Sequence, residues 1–256
     1  MTLDMKFTII TSTYNAGELL RETASSLQQQ SYRDFQWIVA DGASSDNTIE
    51  IAKGLGCLVA TFISEPDRGI YEAWNKALPH VKGDWVLFLG AGDKLLCSNT
   101  LESIANLLLN IPKSVSIAYG GVKEVDAHTA EVRRVEHFRW GGVDGPWSGV
   151  RPRLPHHQGV FHNSKLFEKG FIFDTRCKIA ADGEIVLKEL IEGNGADLGI
   201  AVSSSISGGV STLKSTRLRM NLEMIYINWK VGIFFKRPIR QLTVLCANLI
   251  KHYFSK

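Results

Sequence analysis

Three polar clusters in the first 100 residues follow apolar runs, and each carries side chains suited to a nucleotide: Ser12 to Asn15, Asp41 to Ser44 and Gly90 to Asp93. Tyr14 could stack on a base, and Asp41 could accept a hydrogen bond from a base or ribose. Asp93 could hold a divalent cation that bridges phosphates, since magnesium-like ions use one or two carboxylates together with substrate oxygens. Asp93 lies in Gly83 to Leu96, GDWVLFLGAGDKLL, where the apolar run Trp85 to Leu89 breaks into small residues and one acid. In open α/β sheets ligands bind where strands end, so convergence of the three clusters on one sheet edge would make a site. The first cluster has neither G-x-G-x-x-G nor a Walker lysine, which argues against a dinucleotide or P-loop site.

The elements that must position these residues alternate. Phe7 to Ile10 reads as a strand, followed by a helix with Leu19, Leu20, Ala24 and Leu27 on one stripe, and Asn15 with Glu18 has the spacing of a capping box. Trp37 to Ala40 is a second strand, and the next helix, through Ile49 and Ala52, closes at Gly54 and Gly56. Leu58 to Ile63 is a third strand, and Ile70, Ala73, Trp74, Ala77, Leu78 and Val81 keep helical steps. After the fourth strand, Leu101, Ile104, Ala105 and Leu108 mark a helix and Val115 to Tyr119 a fifth strand. Strands alternating with helices predict a right-handed, mostly parallel, Rossmann-like central sheet flanked by helices.

Beyond Gly120 the pattern changes. Glu131 to Phe138 reads as an antiparallel strand, residues 139–159 as a long Gly, Pro and Trp-rich loop, and short elements return at Val160 to Phe167. A helix is expected from Gly183 to Glu192, a last strand from Leu198 to Ser205, and two long helices, Ser215 to Phe235 and Ile239 to Phe254, broken at Pro238.

Composition bounds the function classes. The 256 residues, 45% hydrophobic, suffice for a full core, and the four cysteines, Cys57, Cys97, Cys177 and Cys246, lack the spacing of a zinc site or disulfide framework. No run approaches a transmembrane span and the start is too polar for a secretory signal, so the expectation is a cytoplasmic protein. The net charge of +3 hides an asymmetry: from Leu213 onward there are nine Lys/Arg and a single acid, Glu223, against 20 basic and 25 acidic residues before it. A basic tail on an acidic body points to an anionic lipid surface and away from nucleic acid, whose binders are basic throughout the domain. Trp229, Ile233, Phe234 and Phe235 interleave there with Lys230, Lys236, Arg237 and Arg240, a mixture suited to the membrane interface or to packing with a solvated basic face.

T-x-Y-N after the first strand, D-G-A-S-S-D-N-T after the second, S-E-P-D-R-G-I-Y-E-A-W-N-K-A before the fourth and F-L-G-A-G-D-K-L at its end together resemble family 2 glycosyltransferases of the bacterial polysaccharide-biosynthesis type, over roughly the first 100 residues. The resemblance implies a GT-A fold with C-terminal helices. It implies that Thr13, Tyr14 and Asp41 hold the base, usually uracil, that Arg68 lies near the nucleotide, and that Asp93 binds a metal-diphosphate with Mg²⁺ or Mn²⁺. Where the family carries an acid pair, Gly92 stands beside Asp93. In the second half, Pro155-His156-His157-Gln158 and Ala181-Asp182-Gly183-Glu184 resemble the family's His-Gln pair and its late acid opening a helix. Asp182 is then the catalytic base, because inversion at an anomeric carbon needs a group to take the acceptor's proton while diphosphate leaves from the opposite face. Its competitor is Glu184, and the plainer reading of Asp182 is a helix N-cap. His156 and His157 would touch the diphosphate, metal or acceptor, and Trp140 and Trp147 would line a sugar surface or bury a corner.

The organisation that follows is residues 1–96 as the nucleotide-sugar half, 97–205 as the acceptor half of the same domain, and 206–256 as a basic helical extension. The expected activity is inverting transfer of a sugar from a nucleoside-diphosphate donor, UDP first, to a hydroxyl of a saccharide or lipid-linked saccharide in surface polysaccharide biosynthesis, by an enzyme peripheral on the inner membrane face if the tail binds lipid. Two alternatives stand beside it. A sugar-phosphate nucleotidylyltransferase would carry a glycine-rich basic loop where this chain has Thr11-Ser12-Thr13-Tyr14, and a non-catalytic nucleotide-sugar-binding module is suggested by Gly92.

Overall fold

The computed structural model describes residues 5–126, 132–136, 138–206 and 214–254. In chain order its elements are β1 (Phe7–Thr13), α1 (Gly17–Gln28), β2 (Phe35–Asp41), α2 (Thr48–Gly54), β3 (Thr61–Ser64), α3 (Ile70–Ala77), β4 (Trp85–Phe88), β5 (Lys94–Leu95), α4 (Thr100–Leu108) and β6 (Ile117–Val125). There follow β7 (Val132–Glu136), β8 (Trp147–Ser148), β9 (Arg151–Pro152), β10 (Val160–Asn163), α5 (Lys165–Glu168), α6 (Asp182–Ile191), β11 (Gly195–Ile206), α7 (Arg217–Lys230) and α8 (Pro238–Phe254).

The main sheet runs β3-β2-β1-β4-β10-β6-β11-β5, with β7 paired to β6. Strands β1 and β2 are apolar on both faces because helices cover both, the situation that favours continuous β-branched runs. Alternate residues divide the core. Ile10, Ile38 and Phe88 face α3, α6 and α7, while Ile9, Val39 and Leu87 face α1, α2 and α4. Met224, Ile227 and Ile233 belong to the first of these cores, so the C-terminal helices are packed onto the domain.

The predicted parallel series is interrupted. β10, late in the chain, inserts antiparallel between β4 and β6 and holds them two positions apart. Local periodicity identifies a strand without naming its neighbour, which is decided by how the later chain fills the gap. The β3 segment starts at Thr61, later than expected, because Gly56–Leu58 is a 3-10 turn. The capping box does not form: Asn15 sits at φ 48°, its side chain accepts hydrogen bonds from the Ser45 and Asp46 amides, and α1 begins at Gly17. Residues 139–159 contain the β8–β9 hairpin instead of running free. Of the antiparallel strand expected over residues 131–138, Val132–Glu136 is seen paired with β6, and positions 131 and 137 lie outside the described residues. The break between the last two helices is set by Gly232 at φ 79°, where the Ile233 amide bonds back to Asn228, and Pro238 opens α8.

Candidate active site

Parallel register places Thr13, Asp41 and Ser64 in one row across β1, β2 and β3, each at its strand's C-terminal end. The Thr13 hydroxyl donates to Asp41 Oδ1 at 2.9 Å, Ser64 to Oδ2 at 2.8 Å, and Ser44 donates its amide to Oδ2 at 2.9 Å and its hydroxyl to Oδ1. Burial acts to raise the Asp41 pKa, but the bonds from Ser44, Ser64 and Thr13 outweigh it and hold the carboxyl below its ordinary range. A carboxylate has about four acceptor positions, and these donors take them, so Asp41 receives a base only if one of the three hydroxyls rotates away.

Around this knot three loops close on one another. Asn15 accepts from the Ser45 amide at 2.9 Å and donates its own amide to Ser44 Oγ at 2.8 Å. A Cβ on Gly42 would lie 2.7 Å from Asp67 Oδ2, so the glycine is what lets the loops after β2 and β3 meet. Tyr14 stands beside them 68% exposed, with its ring free to stack. Arg68 is also exposed and pairs with Glu72 at 2.8 Å.

Asp93 lies in the turn after β4, buried to 8% exposure. Burial pushes its carboxyl up to about 7, with bonds from the Gly90 and Ile206 amides and the Gln158 side chain opposing the rise. These partners are all neutral, and they leave one of about four acceptor positions open. A buried acid without a cation is what a divalent ion neutralises, and among the described residues no cluster of three His, Cys, Asp or Glu competes for one. The residues therefore fit a cation held by one carboxylate plus substrate oxygens. Gly92 has a physical reason: its φ is 92°, and a Cβ there would sit 2.8 Å from Ile206 Cδ1 and 3.1 Å from Leu19 Cδ2. A second acid is shut out by backbone conformation and packing.

Helix α3 joins this edge to the second half. It starts just after Arg68, whose carbonyl accepts from Lys178 Nζ at 2.9 Å. Two turns carry Tyr71, which donates to Asp182 Oδ1 at 2.6 Å, Trp74, whose ring stacks on His157 at 5.1 Å, and Asn75, which exchanges two 2.8 Å bonds with the Phe173 backbone. The periodicity had turned Ile70 inward. Ile70 is exposed and Tyr71 is buried, because the phenol is drawn to a carboxylate 111 residues away. Asp182 opens α6 and makes no N-cap bond. His157 Nδ1 lies 3.9 Å from Asp182 Oδ2, and burial holds the imidazole below the ordinary histidine range, with the Asp182 charge opposing. The preceding segment is fixed by Glu223 of α7, whose carboxylate accepts from the amides of Lys178, Ile179 and Ala180 at 2.8, 2.8 and 3.1 Å.

The His-His-Gln turn thus links two acids, Gln158 reaching Asp93 while His157 faces Asp182. His156 turns away and pairs with Glu136 on β7. Glu184 is engaged by Lys230 at 2.6 Å. Trp147 is buried with its indole N–H donated to Val143 O at 2.8 Å, so it packs a corner. In the tail, Lys230, Arg237 and Arg240 bond to the domain and Ile233 is buried, whereas Trp229, Phe235, Ile239, Leu242, Leu249 and Ile250 are exposed. Sequence reading gave Gln158 no role beyond the His-Gln pair and missed Tyr71 and Glu223; for the last, the signal was its being the single acid in a basic tail.

Comparison with known proteins bears on the family and the fold. The sequence profile of glycosyl transferase family 2 matches residues 8–174. A PGL/p-HBAD biosynthesis glycosyltransferase of Mycobacterium bovis is 30% identical over 186 residues, covering 71% of this chain and 68% of its own. Among solved structures, residues 1–349 of S. aureus TarS in complex with UDP-GlcNAc superpose with a TM-score of 0.67 at 18% identity, over 97% of this chain and 73% of that TarS 1–349 chain. Mannosyltransferase PcManGT from Pyrobaculum calidifontis, in complex with GDP-Man and Mn²⁺, gives 0.64 at 15% identity, over 98% and 76%.

Proposed function

The chain belongs to glycosyl transferase family 2, and from that premise we propose that it transfers a sugar, with inversion, from a UDP-linked donor to a hydroxyl of a saccharide or lipid-linked saccharide in surface polysaccharide biosynthesis. Tyr14 stacks on the base, Thr13 and Asp41 shape its cradle, and Arg68 meets the nucleotide. Asp182 takes the proton of the acceptor hydroxyl as that oxygen attacks the anomeric carbon, and the bond to the diphosphate breaks on the opposite face. Asp93 would hold Mg²⁺ or Mn²⁺, which when bound supplies charge neutralisation for the leaving diphosphate. His157, kept neutral by burial, borders Asp182 on the side away from Tyr71's bond to Oδ1; His156 would meet substrate only by leaving Glu136.

The observation that carries this reading is the α3 bridge. One helix begins beside Arg68 and its second residue, Tyr71, is bonded to Asp182 at 2.6 Å, so donor side and base share a rigid element. Residues 1–96 then serve as the donor half and 97–205 as the acceptor half, with 206–256 as a helical extension. The test is release of nucleoside diphosphate from a donor panel with Mn²⁺, with the anomeric configuration of the product read by NMR. Asp182→Asn is expected to lose about 10²- to 10⁴-fold in kcat. Donor binding without turnover in the wild type would favour a binding module, and pyrophosphate exchange with a sugar phosphate would favour a nucleotidylyltransferase.

The extension supports a peripheral membrane position. Among the described residues no helix is long and apolar enough to cross a bilayer, yet α8 carries Ile239, Leu242, Leu249 and Ile250 outward on one stripe and contains no acid. Replacing Phe235, Ile239 and Leu242 by Ser is expected to lower cosedimentation with phosphatidylglycerol vesicles while leaving turnover on a soluble acceptor intact; undiminished cosedimentation would exclude the lipid reading.

A further inference from the structure

Arg151 is a cation with no evident reason to be where it is. It stands on β9, its Nη1 is sealed from solvent, and that atom has no hydrogen-bond partner among the described residues. The guanidinium lies against the first turn of α6: a Cβ on Gly183 would fall 2.2 Å from Nη1. A helix N-terminus repels cations, and a guanidinium nitrogen sealed from water without a partner costs stability, so neither the helix nor the core accounts for the placement. The charge it does feel is that of Asp182, the residue next to Gly183, with Tyr71 behind it.

Two independent features hold Arg151 in that position. The β8–β9 hairpin is tied down by Asn228 Nδ2 to Val150 O at 2.7 Å and by Arg240 to Trp147 O and Gly149 O, both at 3.1 Å. Gly183, the second residue of α6, provides the space the guanidinium fills. Around Asp182 the facing groups are therefore Tyr71 from α3, His157 from the turn just before β10 and Arg151 from β9, with Glu184 on its own helix turned to Lys230. Of these, Arg151 is the fixed positive charge.

We propose that Arg151, packed against the first turn of α6, is a positioning residue for Asp182, keeping the carboxylate aimed at the acceptor hydroxyl. The inference rests on the reading of Asp182 as the base. It explains why the chain keeps an unpartnered guanidinium nitrogen and a first-turn glycine side by side at a working site.

The test compares kcat, donor KM and melting temperature for Arg151→Met, Arg151→Lys, Gly183→Ala, Asp182→Asn and the Arg151→Met/Asp182→Asn pair. Arg151→Met is expected to lower kcat about 10²-fold, the scale of a misplaced reacting group, with donor KM unchanged and the melting temperature not lowered. Arg151→Lys should recover part of the loss. Gly183→Ala should reproduce the loss, and in the Asp182→Asn background Arg151→Met should change nothing further. A rise in donor KM at constant kcat would make Arg151 a donor ligand and overturn the proposal, as would a fall in melting temperature that accounts for the lost activity. An inactive Asp182→Asn beside a fully active Arg151→Met removes this inference alone; an active Asp182→Asn removes the base reading and the inference with it.

Discussion

Replacing Asp93 by Asn is expected to stabilise the metal-free protein at alkaline pH while abolishing transfer. Burial holds the Asp93 carboxyl at about 7 against an ordinary 3.8. Between those values the native state binds a proton that the unfolded chain does not, so stability falls as pH rises through that window and levels off above it. Each tenfold change in proton affinity corresponds to about 1.4 kcal/mol, so the ionised native carboxylate carries a penalty of roughly 4 kcal/mol. Asparagine removes the penalty but weakens the bonds from the Gly90 and Ile206 amides and Gln158, worth about 1 kcal/mol each at most. A net gain of roughly 2 kcal/mol would raise the melting temperature by about 4–8 °C at this chain length. Thermal unfolding in EDTA across a pH series reads it directly: the variant should melt higher than wild type above neutrality, and the difference should shrink steadily toward acid. A difference independent of pH, or a variant that melts lower in alkali, would refute the assignment of Asp93 as a buried acid awaiting a cation.

Tyr14 and Asp41 should separate binding from scaffolding. Tyr14→Ala is expected to weaken UDP about tenfold by calorimetry, with the ligand-free melting temperature unchanged, since the loss is one stacking partner. Asp41→Ala should lower that temperature outright, because four donors lose their acceptor at roughly 1 kcal/mol or more each. Gly92→Asp, which writes in the acid pair, should destabilise by about 1–3 kcal/mol through its left-handed φ and the approach of Ile206 and Leu19, without tighter Mn²⁺ binding in titration calorimetry. Glu223→Ala should cost about 3 kcal/mol, seen in urea unfolding, by orphaning the amides of Lys178, Ile179 and Ala180, and should lower kcat with it.

The edge proposed to take the donor was legible because it is local. Asp41 and Asp93 each follow a recognisable apolar strand, and parallel register carries Thr13, Asp41 and Ser64 into line once the strands are adjacent. The acceptor side was legible only at Asp182, which opens a helix. Its surroundings are built from pairings that sequence spacing does not express: Tyr71 crosses 111 residues, Glu223 reaches back 43 to 45, and β10 enters the sheet between strands laid down long before it. Periodicity also misplaced Ile70, since hydrophobicity ranks isoleucine above tyrosine for burial and the hydrogen bond to Asp182 reverses the order. The tail's basic and aromatic mixture left a lipid-facing surface and packing on the domain both open, and Lys230, Arg237 and Arg240 bond to the domain.

The Glu223 carboxylate has a consequence for the order in which the protein comes into being. Chains fold from the N-terminus as they leave the ribosome, at about 5–20 residues per second. The β1–β3 row of Thr13, Asp41 and Ser64 is complete early in synthesis, but the segment before Asp182 has no acceptor for its three amides until α7 emerges. A nascent chain therefore completes the β1–β3 row well before the segment ahead of Asp182 is fixed, and a ribosome that stalls before α7 leaves that segment's three amides without their acceptor.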